Sequence, residues 1–228
     1  TNNISPYLFS GTTVYVHRRS SPLSRIFKTM SIGSMARDGG SLILTKEEKN
    51  RMIEIDERIG KLIRPLFGSA EFIQGKERWC LWIEDDQRLF AEGFHEIKKR
   101  IQDVYNFRVA SKAKTTNGYS SIPHKFAQRC YQNTIPILVP STSSERRKYI
   151  PMGFLEKGSV VTNSANVIYE SSPAIFGILT SNIHMLWVRT IAGKLKSDYR
   201  YSPQICYNTF PFPLISIQCA SEITQGAF

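Results

Sequence analysis

The sequence predicts an α+β fold (an irregular α/β arrangement): a mixed sheet with packed helices. Apolar segments of period two and of period 3.6 interleave along the chain, and they do so without the regular strand–helix–strand alternation that builds a parallel sheet. The 228 residues, 41% hydrophobic and 11% aromatic, suffice to bury a core and exclude an intrinsically disordered chain. No apolar run reaches the roughly 18–20 residues that a membrane-spanning helix needs.

Residues 4–16 alternate around Gly11, with Tyr7-Leu8-Phe9 before it and Val14-Tyr15-Val16 after it, which predicts a short hairpin. Asp38-Gly39-Gly40 needs positive φ and reads as a tight turn, with Leu42-Ile43-Leu44 a short buried strand beyond it. Thr45-Lys46-Glu47-Glu48 is a capping box, because the Thr hydroxyl can accept the Glu48 N–H while the Glu48 carboxylate reaches back. The helix it opens is expected to run to about Lys61, with Met52, Ile55, Ile59 and Leu62 on one face, and to end at Pro65. Glu71-Phe72-Ile73 and residues 78–83 predict two strands joined at Gln74-Gly75-Lys76, the second apolar on both faces and therefore central.

Phe94, Ile97, Ile101 and Val104 mark an amphipathic helix whose other face carries Lys98, Lys99 and Arg100. Residues 108–129 are polar and basic and predict the longest loop. Short strands are expected near 135–139, 149–154, 159–161 and 166–169. Ser171-Ser172-Pro173 supplies a cap and an N1 proline for the longest helix, residues 173–192. Its core face is read as Ile175, Leu179, Ile183, Leu186 and Trp187, and Gly193 stands where a C-terminal cap belongs.

Thirty Lys and Arg against nineteen Asp and Glu give a formal charge of +11, which points to a polyanionic partner, nucleic acid before an anionic membrane surface. Cys80, Cys130, Cys206 and Cys219 have no C-x-x-C spacing and no paired histidines, so no metal site is expected and the compartment is read as reducing and cytoplasmic. Neither G-x-x-x-x-G-K-[ST] nor G-x-G-x-x-G occurs, and G-x-S-x-G, H-E-x-x-H and the Asn-Pro-Pro-aromatic string of amino-methylating DNA enzymes are also missing. Such a chain is expected to recognise a partner and to catalyse nothing.

Basic residues cluster at Arg18-Arg19, Lys98-Lys99-Arg100, 108–114 (with Lys112 and Lys114), Arg146-Arg147-Lys148 and 194–200 (with Lys194 and Arg200). Side chains of this kind neutralise phosphates and release counterions, which gives affinity without sequence choice. Ser141-Thr142-Ser143-Ser144, just before the arginines, either adds hydroxyl and backbone donors suited to phosphate oxygens, Ser143 and Ser144 foremost, or makes a simple surface turn. Lys196-Ser197-Asp198 is the sharpest triplet. In an extended segment Lys196 and Asp198 project together, so that they either form a surface ion pair, the reading their composition alone favours, or read one G·C pair, Lys196 donating to guanine O6/N7 and Asp198 accepting from cytosine N4.

These strings, in their order, resemble the target-recognition region of single-chain restriction–modification enzymes of the MmeI type. The resemblance is carried by Asn3-Ile4-Ser5-Pro6-Tyr7-Leu8, Asp38-Gly39-Gly40-Ser41-Leu42, Ile63-Arg64-Pro65 with Gly68-Ser69-Ala70-Glu71-Phe72-Ile73, and Arg78-Trp79-Cys80-Leu81-Trp82. It continues through Arg108, Ser111, Pro123-His124-Lys125-Phe126, Ser143-Ser144-Glu145-Arg146-Arg147, Tyr149-Ile150-Pro151 and Arg200-Tyr201-Ser202, and ends at Tyr207-Asn208-Thr209-Phe210-Pro211-Phe212-Pro213.

The resemblance implies a target-recognition-domain-like fold that docks on double-stranded DNA within a bacterial adenine-N6 methyltransferase. It implies base readout by Lys196 and Asp198, with a further reading position near Asn163-Ser164. It also implies a piece of a longer polypeptide: residues 1–45 connecting from an absent methyltransferase domain, 46–213 forming the recognition domain, and 214–228 a truncated C-terminal tail. That methyltransferase domain is a partner in the same polypeptide and uses S-adenosylmethionine, while this segment carries no cofactor. A second reading is a non-catalytic interaction or scaffold domain whose basic surface binds an acidic partner; an independent nuclease is a third.

Overall fold

The structure, a computed structural model, describes every residue except 1–3, 8, 9, 12, 25, 26, 171, 215, 227 and 228. In chain order the strands are β1 (Met30–Ile32), β2 (Ile43–Leu44), β3 (Ile63–Phe67), β4 (Trp79–Leu81), β5 (Ile137–Pro140), β6 (Thr142–Ser143), β7 (Gly153–Phe154), β8 (Val160–Val161), β9 (Ala165–Ile168), β10 (Gly193–Leu195) and β11 (Asp198–Arg200). The helices are α1 (Lys46–Ile55), α2 (Ser69–Gln74), α3 (Arg88–Glu92), α4 (His95–Val109), α5 (Lys114–Asn117), α6 (Pro173–Leu179), α7 (Asn182–Ile191) and α8 (Ile217–Gly226).

The chain folds into two compact units and passes between them four times. Unit 1 comprises Thr1–Ile32, Thr134–Lys157 and Ser164–Phe228; unit 2 comprises Gly33–Asn133 and Gly158–Asn163. The two are interleaved in sequence. Unit 1 holds a sheet in the order β1-β9-β5-β7 and a three-stranded sheet β10-β11-β6. Unit 2 holds a sheet ordered β2-β4-β3-β8, antiparallel except where β8 joins β3 in parallel. Each unit has its own apolar core, built on Ile137, Val139, Ile168 and Val188 in unit 1 and on Leu44, Met52, Leu81 and Ile97 in unit 2. The chain is thus of the mixed α+β class.

Local signals produce local structure. Thr45 Oγ1 accepts the Glu48 N–H at 3.2 Å and the Glu48 carboxylate accepts the Thr45 N–H at 2.9 Å, closing the capping box of α1. The Asp38 carboxylate accepts from the N–H groups of Gly40 and Leu42, and Gly39 and Gly40 take φ of +64° and +92° to make the turn. Strand β4 lies between β2 and β3, as its two apolar faces require.

Several expectations are corrected. Residues 14–16 form no strand: the Val16 N–H donates to Tyr7 Oη instead of to a ladder, and one bridge, Ile4 to Ser10, is formed. The part of that expected hairpin at Leu8 and Phe9 lies outside the described residues. Helix α1 stops at Ile55 because Asp56 turns extended and its carboxylate accepts the Arg58 N–H, starting a 3₁₀ segment, Glu57–Leu62. Ile59 and Leu62 reach the core from that segment, Ile55 does not, and Pro65 sits inside β3.

The segment read as strand 71–73 is helix α2. Glu71 accepts the Gly68 N–H at 2.9 Å and Gly75, at φ +66°, closes the helix. The expected helix 173–192 is two helices bent by 53°. Ser172 caps the first, and Ser181 Oγ accepts the His184 N–H to start the second, which rotates the buried stripe to His184, Met185 and Val188. Ile183 and Leu186 therefore face outward at 73% and 64% exposure. Ala192 ends α7, and Gly193 opens β10. No single helix among the described residues is long and apolar enough to cross a membrane.

The expected long loop 108–129 is organised by its first residue. Arg108, on α4, is fully buried and donates to the carbonyls of Arg37, Tyr119, Ile122, Ala36 and Lys125 at 2.7–2.9 Å. Five N–H groups meet five carbonyl oxygens, so the guanidinium is fully hydrogen-bonded and is not part of any basic surface.

Candidate nucleic-acid interface

The basic, hydroxyl-rich segments of unit 1 converge on the sheet β10-β11-β6. Strand β11 pairs with β10 in the register Gly193 to Arg200, Lys194 to Tyr199 and Leu195 to Asp198, and with β6 in the register Tyr199 to Ser143 and Arg200 to Thr142. Directly paired residues share a face. One face is therefore Lys194, Tyr199 and Ser143; the other is Leu195, Asp198, Arg200 and Thr142. Tyr199 and Ser143 are buried, Leu195 and Arg200 are exposed, and so the second face is the outward one.

The sheet is fastened to the core beneath it. The Tyr201 N–H donates to the Ser141 carbonyl at 2.9 Å, the Ser141 N–H to the Ser164 carbonyl at 3.4 Å, and Asn166 Nδ2 to the Tyr201 carbonyl at 3.4 Å. Behind Tyr201, its hydroxyl meets His184 Nε2 at 2.9 Å, and the His184 ring stands edge-on to Phe210. Burial pushes the His184 pKa down to about 3, so the imidazole is neutral and this interior holds no charge there.

The loop following β6 is held at several points and leaves its cations outside. Ser144 accepts the Arg146 N–H on its hydroxyl and the Arg147 N–H on its carbonyl, while Arg189 of α7 donates to the Lys148 carbonyl at 3.3 Å. The Tyr149 hydroxyl donates to Asn182 Oδ1 at 2.7 Å. Arg146 and Arg147 are exposed. Unit 1 carries 12 Lys and Arg against 5 Asp and Glu, and among its described residues the one ion pair is Lys28–Glu170.

The sequence-derived site residues fall into distinct places. Asp198 and Arg200 share the outward face; Lys194 lies on the opposite one, its ammonium 3.6 Å from the Tyr199 ring centroid and 3.4 Å from the Ser197 carbonyl. Lys196 is not in an extended segment: it stands at φ +57° in the two-residue turn Lys196-Ser197, so the two-apart alternation that paired it with Asp198 does not hold. The two form no ion pair with each other.

Ser143, expected at phosphate, is 2% exposed with an unpartnered hydroxyl, whereas its neighbour Ser144 is half-buried. Asn163 and Ser164 are both exposed, but Asn163 belongs to unit 2, where its N–H donates to the Ser34 carbonyl, and Ser164 to unit 1. Lys112 and Lys114 are exposed at the start of α5 in unit 2. Leu195, on the outward face, was not singled out from the sequence. The signal for Leu195 was its alternation with Lys194 in a hairpin, which the turn concealed. No group of three or more His, Cys, Asp or Glu among the described residues is placed to hold a metal ion.

A family model described as "MmeI, target recognition domain" matches residues 10–214. DNA methyltransferase A of Bacillus subtilis (strain 168) is 39% identical over 225 residues, which is 99% of this chain and 26% of that protein. The solved structure of the type IIL restriction–modification enzyme MmeI in complex with DNA superposes with a TM-score of 0.91 at 36% identity, over 99% of this chain and 30% of that one. The chain thus corresponds to a minor part of each relative's length. Since the match spans both units and includes the sheet with its basic loop, the chain belongs to the MmeI target recognition domain family.

Proposed function

We propose that this chain is the DNA sequence-reading module of a larger restriction–modification or methyltransferase polypeptide, and that it forms no bond itself. The observation that carries the reading is the outward face of β10-β11-β6, where unpaired charged groups of both signs stand beside a loop of exposed arginines. A two-stranded ribbon fits the major groove of B-DNA, about 12 Å wide. Arg146, Arg147 and Arg200, with Lys112 and Lys114 on the other unit, are assigned to phosphates. Asp198 accepts from a cytosine amino group, and Lys196 at the ribbon's tip donates to guanine; Asn163 and Ser164 read a further position. An adenine is then presented to a methyltransferase domain elsewhere in the polypeptide, which flips it to reach its amino group.

S-adenosylmethionine is assigned to that other domain. The cavity of ≈ 550 Å³ in unit 2 is lined by Ser41, Arg51, His95, Glu96, Lys99, Arg100 and Asp103, a set of charged and polar side chains that is not assigned to this cofactor.

The test is binding of the full chain to duplex DNA across a salt series. The expected result is affinity that falls steeply and log-linearly with salt. Affinity indifferent to salt, or capture only by an acidic protein, would instead favour the scaffold reading. Exchanging the residues at 196 and 198 is expected to change one base pair of the selected site.

A further inference from the structure

We infer that Leu195 is a specificity residue that contacts the C5-methyl group of a thymine next to the base pair read by Asp198. The inference rests on the proposed reading of duplex DNA and extends it to an apolar contact.

Leu195 is 56% exposed at the end of β10. Its register partner is Asp198, so the two side chains leave the same face of the sheet, and directly opposed Cβ atoms lie about 4.5–5.5 Å apart. That separation is about one and a half times the roughly 3.4 Å rise between base pairs, short enough for the two side chains to reach neighbouring pairs. The face around it is otherwise polar: Asp198, Arg200 and Thr142, with the Lys196-Ser197 turn at its end. A leucine on such a face has no apolar neighbour in its sheet; Tyr199 and the core lie on the other side.

The partner that fits must offer acceptors and donors to Asp198 and the cations, and one small apolar group beside them. The major-groove edge of duplex DNA offers both. Its only apolar group is the thymine methyl, and its phosphates complement the unpaired Arg200, Arg146 and Arg147.

The test uses the full chain and its own preferred site, selected from random duplexes. Each thymine of that site is then replaced in turn by uracil, which removes the methyl group and nothing else. At one thymine, adjacent to the base pair whose identity changes in D198N, binding is expected to weaken roughly fourfold, the ~0.8 kcal/mol that burying one methyl group is worth. L195A is expected to lose that sensitivity while keeping its circular dichroism spectrum.

A chain that binds no duplex in a salt-dependent way overturns the underlying reading. Site-selective binding with no uracil-sensitive thymine beside the Asp198 pair, or with L195A as sensitive as the parent, overturns the role of Leu195 alone.

Discussion

The arginines of the two units are used differently. In unit 2 all nine have a side-chain partner. Arg51, Arg58, Arg78, Arg88, Arg100 and Arg129 are in ion pairs, Arg64 lies over the Tyr131 ring, Arg37 bonds Thr115 and Thr116, and Arg108 is ringed by carbonyls. In unit 1, Arg18, Arg19, Arg146, Arg147 and Arg200 have none among the described residues, and Arg189 is used to hold the Lys148 carbonyl. A net charge of +11 is therefore a poor guide to where a polyanion binds. Cations already engaged by carboxylates have less to gain from a phosphate; unengaged ones keep the full counterion term.

The largest test of this difference lies at Arg108. Substitution by Met leaves a space of similar length but strands five carbonyls, so Arg108→Met is expected to lower the unfolding free energy by about 3–5 kcal/mol. A urea titration measures this directly. A loss below about 1 kcal/mol would mean that water replaces the guanidinium and that the segment 108–129 is not organised by it.

The interior of unit 1 makes the opposite choice and buries a neutral imidazole. The folded pKa of His184 is depressed to about 3, so only the unfolded chain takes up the proton as pH falls below its ordinary 6.5. The stability due to this group is complete above pH 6.5 and is lost progressively down to about pH 3. At pH 5 the loss is about 2 kcal/mol. His184→Gln removes it, so the drop in stability between pH 7 and pH 5 is expected to be about 2 kcal/mol smaller in the variant than in the parent. Carboxylates held low by partners, such as Glu84 beside Arg129, also lose stability in acid, but mostly at lower pH, and they are common to both proteins.

On the surface, the comparison predicts unequal effects of equal substitutions. Removing Arg146 and Arg147 together is expected to lower the salt slope of duplex binding by about 2 and to weaken binding to every sequence alike. Removing Arg129, engaged by Glu84 at 2.6 Å and stacked 4.0 Å from the Trp82 ring, is expected to leave that slope unchanged. Equal slopes in the two variants would erase the distinction between the units.

What the sequence disclosed was mostly local. The capping box at Thr45, the Gly39-Gly40 turn and the buried faces of β4 and α4 are each decided by residues within a few positions of one another. Helix α2 was also legible. Glu71 three residues after Gly68, and a glycine at 75, are start and stop signals that the short apolar string between them hid. The second helix start at Ser181 is a serine cap with neither glycine nor proline to mark it.

Arg108 looked like one member of a basic stretch; its burial depends on carbonyls from residues 36 to 125, which no local pattern encodes. The candidate interface was half legible for the same reason. Its residues could be named, but the face each occupies depends on a hairpin turn that lacks the usual Asn-Gly or Asp-Gly signature.

That turn supplies the smallest prediction. Among the described residues, three non-glycine residues stand at positive φ: Arg37, Glu170 and Lys196. Arg37 is bonded to Thr115 and Thr116, and Glu170 is paired with Lys28 at 2.7 Å, so each has side-chain contacts that hold it there. Lys196 has no side-chain partner among the described residues, and a lysine in this region costs roughly 1–2 kcal/mol relative to its relaxed conformations. Asparagine tolerates the left-handed region, so Lys196→Asn is expected to raise stability by about 0.5–1 kcal/mol while removing the preference for guanine at the ribbon's tip. Arg37→Asn, which relieves the same backbone but forfeits the bonds to Thr115 and Thr116, is expected to give no gain. A urea midpoint that rises for Lys196→Asn and not for Arg37→Asn ties the strain at 196 to function, since there no contact within the fold repays it; a midpoint that falls for Lys196→Asn means the turn is not strained at all.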